Sequence, residues 1–453
     1  MVLSPAPSAP VGDPQKAEAL VEQGRAMQRE RGEGGAQEAI KLYQEALAAQ
    51  PGHASALWEL GWSYQVAGDF EAAVTAWQTL KKQSPDYPEL GKHWPVLLMR
   101  RDQARALAAL PDPGVLPPRE EIPREGPSLT LNGVGDVQLG RGWPPARAEL
   151  PPDDARVLFG PLKGVLQNAD VTFGNLETAL ADTGESTKCG PKSTKCFAFR
   201  APTSFAAALQ EAGFDVMSIA NNHAGDFGLE GRLSTKKALD GVGIRYSGTV
   251  GDIASLEANG LRIGLIAFST GGDVYRVQEI DVARRVVAET KRLHDVVIVS
   301  FHAGAEGSEA GRVPKGPESF YGESRGDVYA FAHAVVDAGA DLVMGHGPHR
   351  FRGMELYKGR LIAYSLGNFC TYKTFSLVGP LAVTGVLKVT LAANGVATAI
   401  TLQSAVIEQP GIPTPDPKGQ AVEIVRGLSQ QDFGSALLGP DGTWQRPTAI
   451  GQQ

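Results

Sequence analysis

The chain reads as an all-α repeat module followed by a larger α/β domain. Two observations carry that expectation. A 34-residue offset recurs among small and aromatic residues in the first hundred positions, and past residue 127 short apolar runs alternate with amphipathic stretches. At 453 residues the chain exceeds one ordinary core, so two or more domains are expected. Its 42% hydrophobic content can fill them.

Leu57, Leu60, Gly61, Tyr64, Gly68, Ala73, Trp77, Leu80 and Pro85 follow the tetratricopeptide pattern. Ala39, Tyr43, Ala46 and Pro51 repeat the spacing of Ala73, Trp77, Leu80 and Pro85, and 73 − 39 = 34 is the tetratricopeptide period. The loop at Gly32–Gly35 makes the first repeat irregular, and a third helical stretch from about Leu90 to Leu110 is expected to cap the stack. Such a module binds a protein or peptide partner. The expected division is a disordered start over 1–14, a tetratricopeptide-like domain over 15–110, a Pro-rich linker over 111–127, the α/β domain over 128–410 and an extension over 411–453. Pro111, Pro113, Pro117, Pro118, Pro123 and Pro127 interrupt any helix in the linker.

Strands are expected at Leu129–Val134, Val171–Gly174, Val216–Ala220, Ile263–Phe268, Val296–Phe301, Leu342–Met344 and Leu361–Ser365. Helices are expected at Pro202–Ala212 and Val328–Ala338. Asn394-Gly395 suits a hairpin turn between Val383–Leu391 and Val396–Ala405.

Several strands end in chemistry. The ends carry Asp136 with Arg141, Glu177, Asn222 and His223 with Asp226, His302, His346 with His349, and Asn368. In an open α/β sheet the carboxyl ends of the strands face one crevice, so these side chains can converge. Carboxylate, carboxamide and imidazole suit Mn, Fe or Zn ions, and a divalent ion there would polarise an ester or amide oxygen and acidify water.

The ordered motifs Gly135-Asp136 through Gly140-Arg141, Asn175-Leu176-Glu177, Asn221-Asn222-His223 through Asp226, His302-Ala303-Gly304-Ala305-Glu306, Gly345-His346-Gly347-Pro348-His349 and Tyr364-Ser365-Leu366-Gly367-Asn368-Phe369 resemble the calcineurin-like metallophosphoesterases. Within them the chain is most similar to the CapA family of capsule and poly-γ-glutamate synthesis proteins, over roughly Ser128 to Glu408. The resemblance implies a two-sheet sandwich flanked by helices and one or two divalent ions. It implies Asp136, Glu177, Asn222, His302, His346 and His349 as metal ligands, and His223 as the acid that protonates the leaving group. Asp226 would orient His223, Arg141 would hold a substrate anion, and Asn368 would touch substrate. Two departures stand out: Gln138 replaces the usual first-motif histidine, and Asn175 replaces the second-motif aspartate. One ion site therefore lacks a strong ligand.

The expected activity is metal-dependent hydrolysis of a phosphoester or of an amide or isopeptide bond, in capsule or poly-γ-glutamate metabolism. The other reading is a scaffold that docks a partner through its repeats and holds an anionic polymer without cleaving it. A net charge of −7 argues against a general nucleic-acid surface. No run is long and apolar enough to span a membrane, and Met1–Gln15 does not read as a signal peptide. The expected location is cytoplasmic, or extracytoplasmic if a signal has been removed. Gly322-Glu323-Ser324-Arg325-Gly326 lacks the strand that a serine nucleophile elbow requires. Lys188, Lys192 and Lys195 form a small basic loop, and Cys189 and Cys196, which flank Gly190–Lys195, read equally as a local bridge or as free thiols.

Overall fold

The computed structural model describes residues 12–116, 118–186, 188–189 and 197–445. The chain divides into two compact units, Met1–Ala109 and Leu110–Gln453.

The first unit is five helices: α1 (Pro14–Arg31), α2 (Ala36–Ala49), α3 (Ala54–Val66), α4 (Phe70–Gln83) and α5 (Leu90–Ala108). Asp13 and Asp69 start α1 and α4 by accepting backbone N–H bonds from Lys16 and Ala72. Each helix pair closes through a glycine laid against an aromatic ring. A Cβ on Gly24 would lie 2.4 Å from the Tyr43 ring, and one on Gly61 would lie 2.0 Å from Trp77 Nε1. The glycines are 61 − 24 = 37 residues apart, the rings 77 − 43 = 34, and the turn at Gly32–Gly35 takes up the difference. Tyr43 and Trp77 are fully buried, as the repeat pattern requires.

The second unit is a sandwich of two sheets. Its principal strands are β1 (Ser128–Gln138), β2 (Val171–Leu176), β3 (Val216–Ser218), β4 (Leu261–Ser269), β5 (Val296–His302), β6 (Leu342–His346), β7 (Arg360–Ala363), β8 (Asn368–Thr371), β9 (Val383–Ala392) and β10 (Ala397–Glu408). The first sheet runs β10-β9-β1-β2-β3 with β8 beside β1; the second runs β7-β6-β5-β4. Leu129, Leu131 and Phe173 of the first sheet share one apolar cluster with Leu265, Ile298 and Met344 of the second. Gly133 makes room for that contact, since a Cβ there would meet Met344 Sδ at 2.5 Å. Helices Ile280–Leu293 and Val328–Ala338 cover the outer face of the second sheet. Covered on both faces, β5 is buried at all seven positions, which is why it reads as a continuous apolar run rather than an alternating one. The Asn394-Gly395 turn joins β9 to β10 in antiparallel register.

Two segments lie differently from the sequence expectation. The proline-rich stretch clusters with the second unit: Arg119 ion-pairs with buried Asp341 and donates to the Val336 carbonyl, and Arg360 donates to the Glu120 carbonyl. Past 411 the chain continues the same domain. Ile412–Pro415 pairs with β10, and helix Gln420–Phe433 sends Ala421, Val422 and Val425 into the inter-sheet cluster. Proline blocks ladder bonds inside a sheet but not side-chain anchoring. The possible Cys189–Cys196 bridge falls on Cys196, which, like Lys192 and Lys195, lies outside the described residues. No described helix is long and apolar enough to cross a membrane.

Candidate metal centre

Strand register builds the centre as two facing rows. In the first sheet Asp136 of β1 lies opposite Asn175 of β2 and Asn368 of β8. In the second sheet His302 of β5 lies opposite His346 of β6. The flanking strands run parallel to β1 and β5, so all five side chains arrive at one edge of the sandwich. Glu177 follows just past β2, on the same face as Asn175 because strand side chains alternate.

Asp136 is fully buried; its Oδ1 accepts from Asn175 Nδ2 at 2.8 Å and its Oδ2 lies 3.0 Å from His349 Nδ1. His302 Nδ1 is 3.1 Å from Asn175 Nδ2. Glu177 lies 3.5 Å from His302 Nε2 and 3.8 Å from His349 Nδ1. His349 reaches in from a loop at φ +60°, a conformation that costs a non-glycine residue of order 1–3 kcal/mol and so marks a constrained position.

Among the described residues four buried polar atoms here have no hydrogen-bond partner: both carboxylate oxygens of Glu177, His302 Nε2 and His346 Nδ1. His346 Nε2 lies 3.1 Å from the Val134 carbonyl, which can only accept, so Nε2 carries the proton and Nδ1 presents a lone pair. Ligand atoms of Glu177, His302 and His349 lie within 4.8 Å of one another. Unpaired buried polar atoms are costly, and a cation would satisfy the Glu177 oxygens and His346 Nδ1 together, with His302 Nε2 joining once its proton is released. The donor set therefore fits a divalent metal ion, with Glu177, His302 and His349 as its nucleus.

Charge is distributed accordingly. Burial raises the Glu177 carboxyl well above its usual value, helped by the Asp136 and Glu306 charges against His349. Burial also pushes Asp136 up, but the hydrogen bond and charge of His349, with His302 and His346, carry it well below the carboxylate range. Burial lowers His302 and His346. His349 is raised to about 10: burial opposes this, but the Glu177 charge and the Asp136 hydrogen bond win.

His223 stands apart from this cluster. Its Nδ1 lies 2.7 Å from Asp226 Oδ2, and burial lowers the ring while Asp226 opposes. A chain of rings links it to the centre: His223 to Phe199 at 4.3 Å, Phe199 to Phe375 at 5.4 Å, and Phe375 to His349 at 4.6 Å. The two phenylalanines thus stand between the Glu177–His302–His349 cluster and the His223–Asp226 pair.

Three expected site residues are placed differently from their assigned roles. Asn222 is exposed and its carboxamide takes no part in the hydrogen-bonded cluster. Asn221 does, giving Nδ2 to Asn175 Oδ1 and the Leu176 carbonyl while its Oδ1 accepts from the His223 and Ala224 amides. Arg141 is ion-paired to Glu149 at 2.9 Å, so its guanidinium is already engaged. Asn368 is buried against His349 Nδ1 at 3.1 Å instead of facing a substrate. Gln138 is committed to its own loop, bonding the Gly140 N–H, the Gly140 carbonyl and the Thr374 hydroxyl. Glu306 pairs with Arg325 at 2.8 Å. Asn175 was legible in principle, two residues before Glu177; Phe199, Phe375 and Lys188 carry no sequence signal of a role here.

Comparison with known proteins agrees with this architecture. Residues 130–373 match the family described as bacterial capsule synthesis protein PGA_cap, and residues 30–92 match a tetratricopeptide repeat family. The chain is 30% identical over 266 residues to the capsule biosynthesis protein CapA of Bacillus anthracis, covering 54% of this chain and 60% of that protein. It is 30% identical over 290 residues to a probable polyglutamine synthesis accessory protein of Mycobacterium tuberculosis, covering 57% of this chain and 69% of that protein. It is 27% identical over 260 residues to the PGA biosynthesis protein CapA of Bacillus subtilis, covering 53% of this chain and 63% of that protein. With the family match spanning more than half its length, the chain belongs to the bacterial capsule synthesis PGA_cap family and carries tetratricopeptide repeats ahead of that domain.

Proposed function

We propose that the second unit is a metal-dependent hydrolase acting on a phosphoester or on an amide or isopeptide bond of a capsule-type or poly-glutamate polymer. The names of its relatives support the polymer class. The observation that carries the chemistry is the set of four buried, unpartnered polar atoms, the two Glu177 carboxylate oxygens, His302 Nε2 and His346 Nδ1. Glu177, His302 and His349 would hold the ion, with His346 and Asp136 beside them. A divalent ion supplies Lewis acidity there, polarising the scissile group and acidifying water.

The chain's own residues account for the remaining steps. In its imidazolium form His223 carries one proton on Nδ1 toward Asp226, which can only accept, and a second on Nε2 for the leaving group. As the scissile bond breaks, the Nε2 proton passes to the departing oxygen or nitrogen; the attacking water's oxygen joins the phosphorus or carbon, and a proton from that water restores the balance. Phe199 and Phe375 exclude water from one side of the gap between His223 and His349.

Elemental analysis of purified protein tests this reading, with bis-p-nitrophenyl phosphate and a γ-glutamyl peptide as probes. The wild type should hold a divalent ion and turn over at least one probe. Glu177→Gln and His302→Ala should each weaken metal retention about 100-fold or more and abolish turnover. Unchanged metal content and unchanged turnover in His302→Ala reject the proposal. Gln138, locked in its loop, favours a second reading in which the repeats dock a protein partner and the centre binds polymer without cleaving it. A wild type that binds metal but turns over neither probe favours that reading.

A further inference from the structure

Lys188 is the one described lysine of the basic loop, and it is not a solvated surface charge. Its side chain is 32% exposed, and its ammonium group donates to Asp226 Oδ1 at 2.5 Å and to the Asn222 carbonyl at 2.8 Å. It also lies 3.2 Å from His223 Nδ1. That ring nitrogen cannot accept from Lys188 while donating to Asp226, and the carboxylate, 2.7 Å away, can only accept. The Lys188 hydrogen bonds therefore go to Asp226 Oδ1 and the Asn222 carbonyl. The buried Asp226 carboxylate is then satisfied at both oxygens: Oδ2 takes the His223 ring and the Phe199 N–H at 2.8 Å, and Oδ1 takes Lys188.

We propose that Lys188 is a positioning residue for proton delivery by His223, locking Asp226 and the Asn221–Asp226 loop so that the imidazolium keeps its Nδ1–H on Asp226 and aims its Nε2–H at the leaving group. This rests on the hydrolytic reading above. Without Lys188, Asp226 Oδ1 is a buried carboxylate oxygen with no donor among the described residues. The carboxyl group is then free to turn away from the ring, and the loop loses the tie at the Asn222 carbonyl. The proton transferred is still that of Nε2, so Lys188 acts through Asp226 and touches no reacting atom.

The test compares metal-loaded wild type, Lys188→Met and Lys188→Arg on two aryl phosphodiesters, one with a p-nitrophenyl and one with an unactivated phenyl leaving group. Only the poor leaving group depends strongly on protonation. Lys188→Met should therefore lose about 30-fold or more of kcat on the phenyl ester and about 3-fold or less on the p-nitrophenyl ester, with Lys188→Arg restoring most of the loss. Equal losses on both esters, or no loss on either, overturn the proposal. A wild type inert on both esters counts against the hydrolytic reading, and the positioning claim is then decided by nitrogen-15 spectra of histidine-labelled protein. The His223 Nδ1–H signal should be present in wild type and Lys188→Arg and lost in Lys188→Met; its persistence in Lys188→Met refutes the role of Lys188.

Discussion

At the scale of single residues the centre is a set of buried polar atoms with no hydrogen-bond partner among the described residues. Glu177 brings two buried, unpaired carboxylate oxygens to a point where His302, His346 and His349 meet. These groups also set the pH response of metal-stripped protein. Burial holds His302 and His346 below the ordinary histidine value of about 6.5. As pH falls through that value the unfolded chain takes up protons the folded chain refuses, so their contribution to stability is lost on the acid side. His349 has the opposite sign. Raised to about 10, its contribution is fully present below about 6.5 and is lost as pH rises toward 10. In chelator, urea unfolding of wild type should therefore weaken more steeply between pH 7 and 5 than that of His302→Gln. The difference in slope should approach one proton, ~1.4 kcal/mol per pH unit. Parallel slopes would contradict the burial of a neutral His302.

At the scale of elements, glycines at strand ends let the two sheets deliver ligands close together. Gly135 precedes Asp136, and a Cβ there would lie 2.1 Å from the Gly367 carbonyl oxygen, which accepts the Asp136 N–H at 2.9 Å. Gly345 precedes His346, and a Cβ there would lie 2.2 Å from the Tyr364 carbonyl. Both neighbours are backbone and cannot rotate away. Gly135→Ala should cost about 2–3 kcal/mol of stability through overpacking. It should also displace Asp136 and lower metal content. A variant with wild-type melting temperature and full metal loading would show that the approach is looser than drawn. The β5 and β6 strands show the complementary rule: their ends are specified by register, His302 beside His346, and one residue of slip would turn both rings away from the centre.

At the scale of the whole molecule, the proline-rich stretch is part of the second unit. Asp341 is fully buried and is met by Arg119 from that stretch and by Lys291 at 2.8 Å, while Arg360 grips the Glu120 backbone. Removing one partner of a buried ion pair leaves an uncompensated charge, at a cost of about 3–5 kcal/mol. A chain beginning at Gly126 should therefore be less stable than one beginning at Leu110 by roughly that amount, as read by urea unfolding of each. Equal midpoints would show the stretch to be a mere tether. The repeats form a separate unit with its own buried core around Tyr43 and Trp77.

The sequence by itself determined the helical repeat, because a 34-residue period and glycine-aromatic pairing are local packing rules written in one stretch of chain. It also determined the buried parallel strands and the histidines at their ends, because apolar runs and strand termini are local features. What it could not determine was which neighbour of a ligand faces the centre. Asn221 rather than Asn222 enters the hydrogen-bonded cluster, Asn175 joins Asp136, and Arg141 turns to Glu149, because side-chain direction at a loop depends on what other elements place against it. The assignment of the proline-rich stretch and of the tail to the sandwich was decided by contacts more than 200 residues apart for Arg119 and by the pairing of Ile412–Pro415 with β10. Only tertiary structure could bring Lys188 onto Asp226, since nothing within a basic loop names the carboxylate that it will meet.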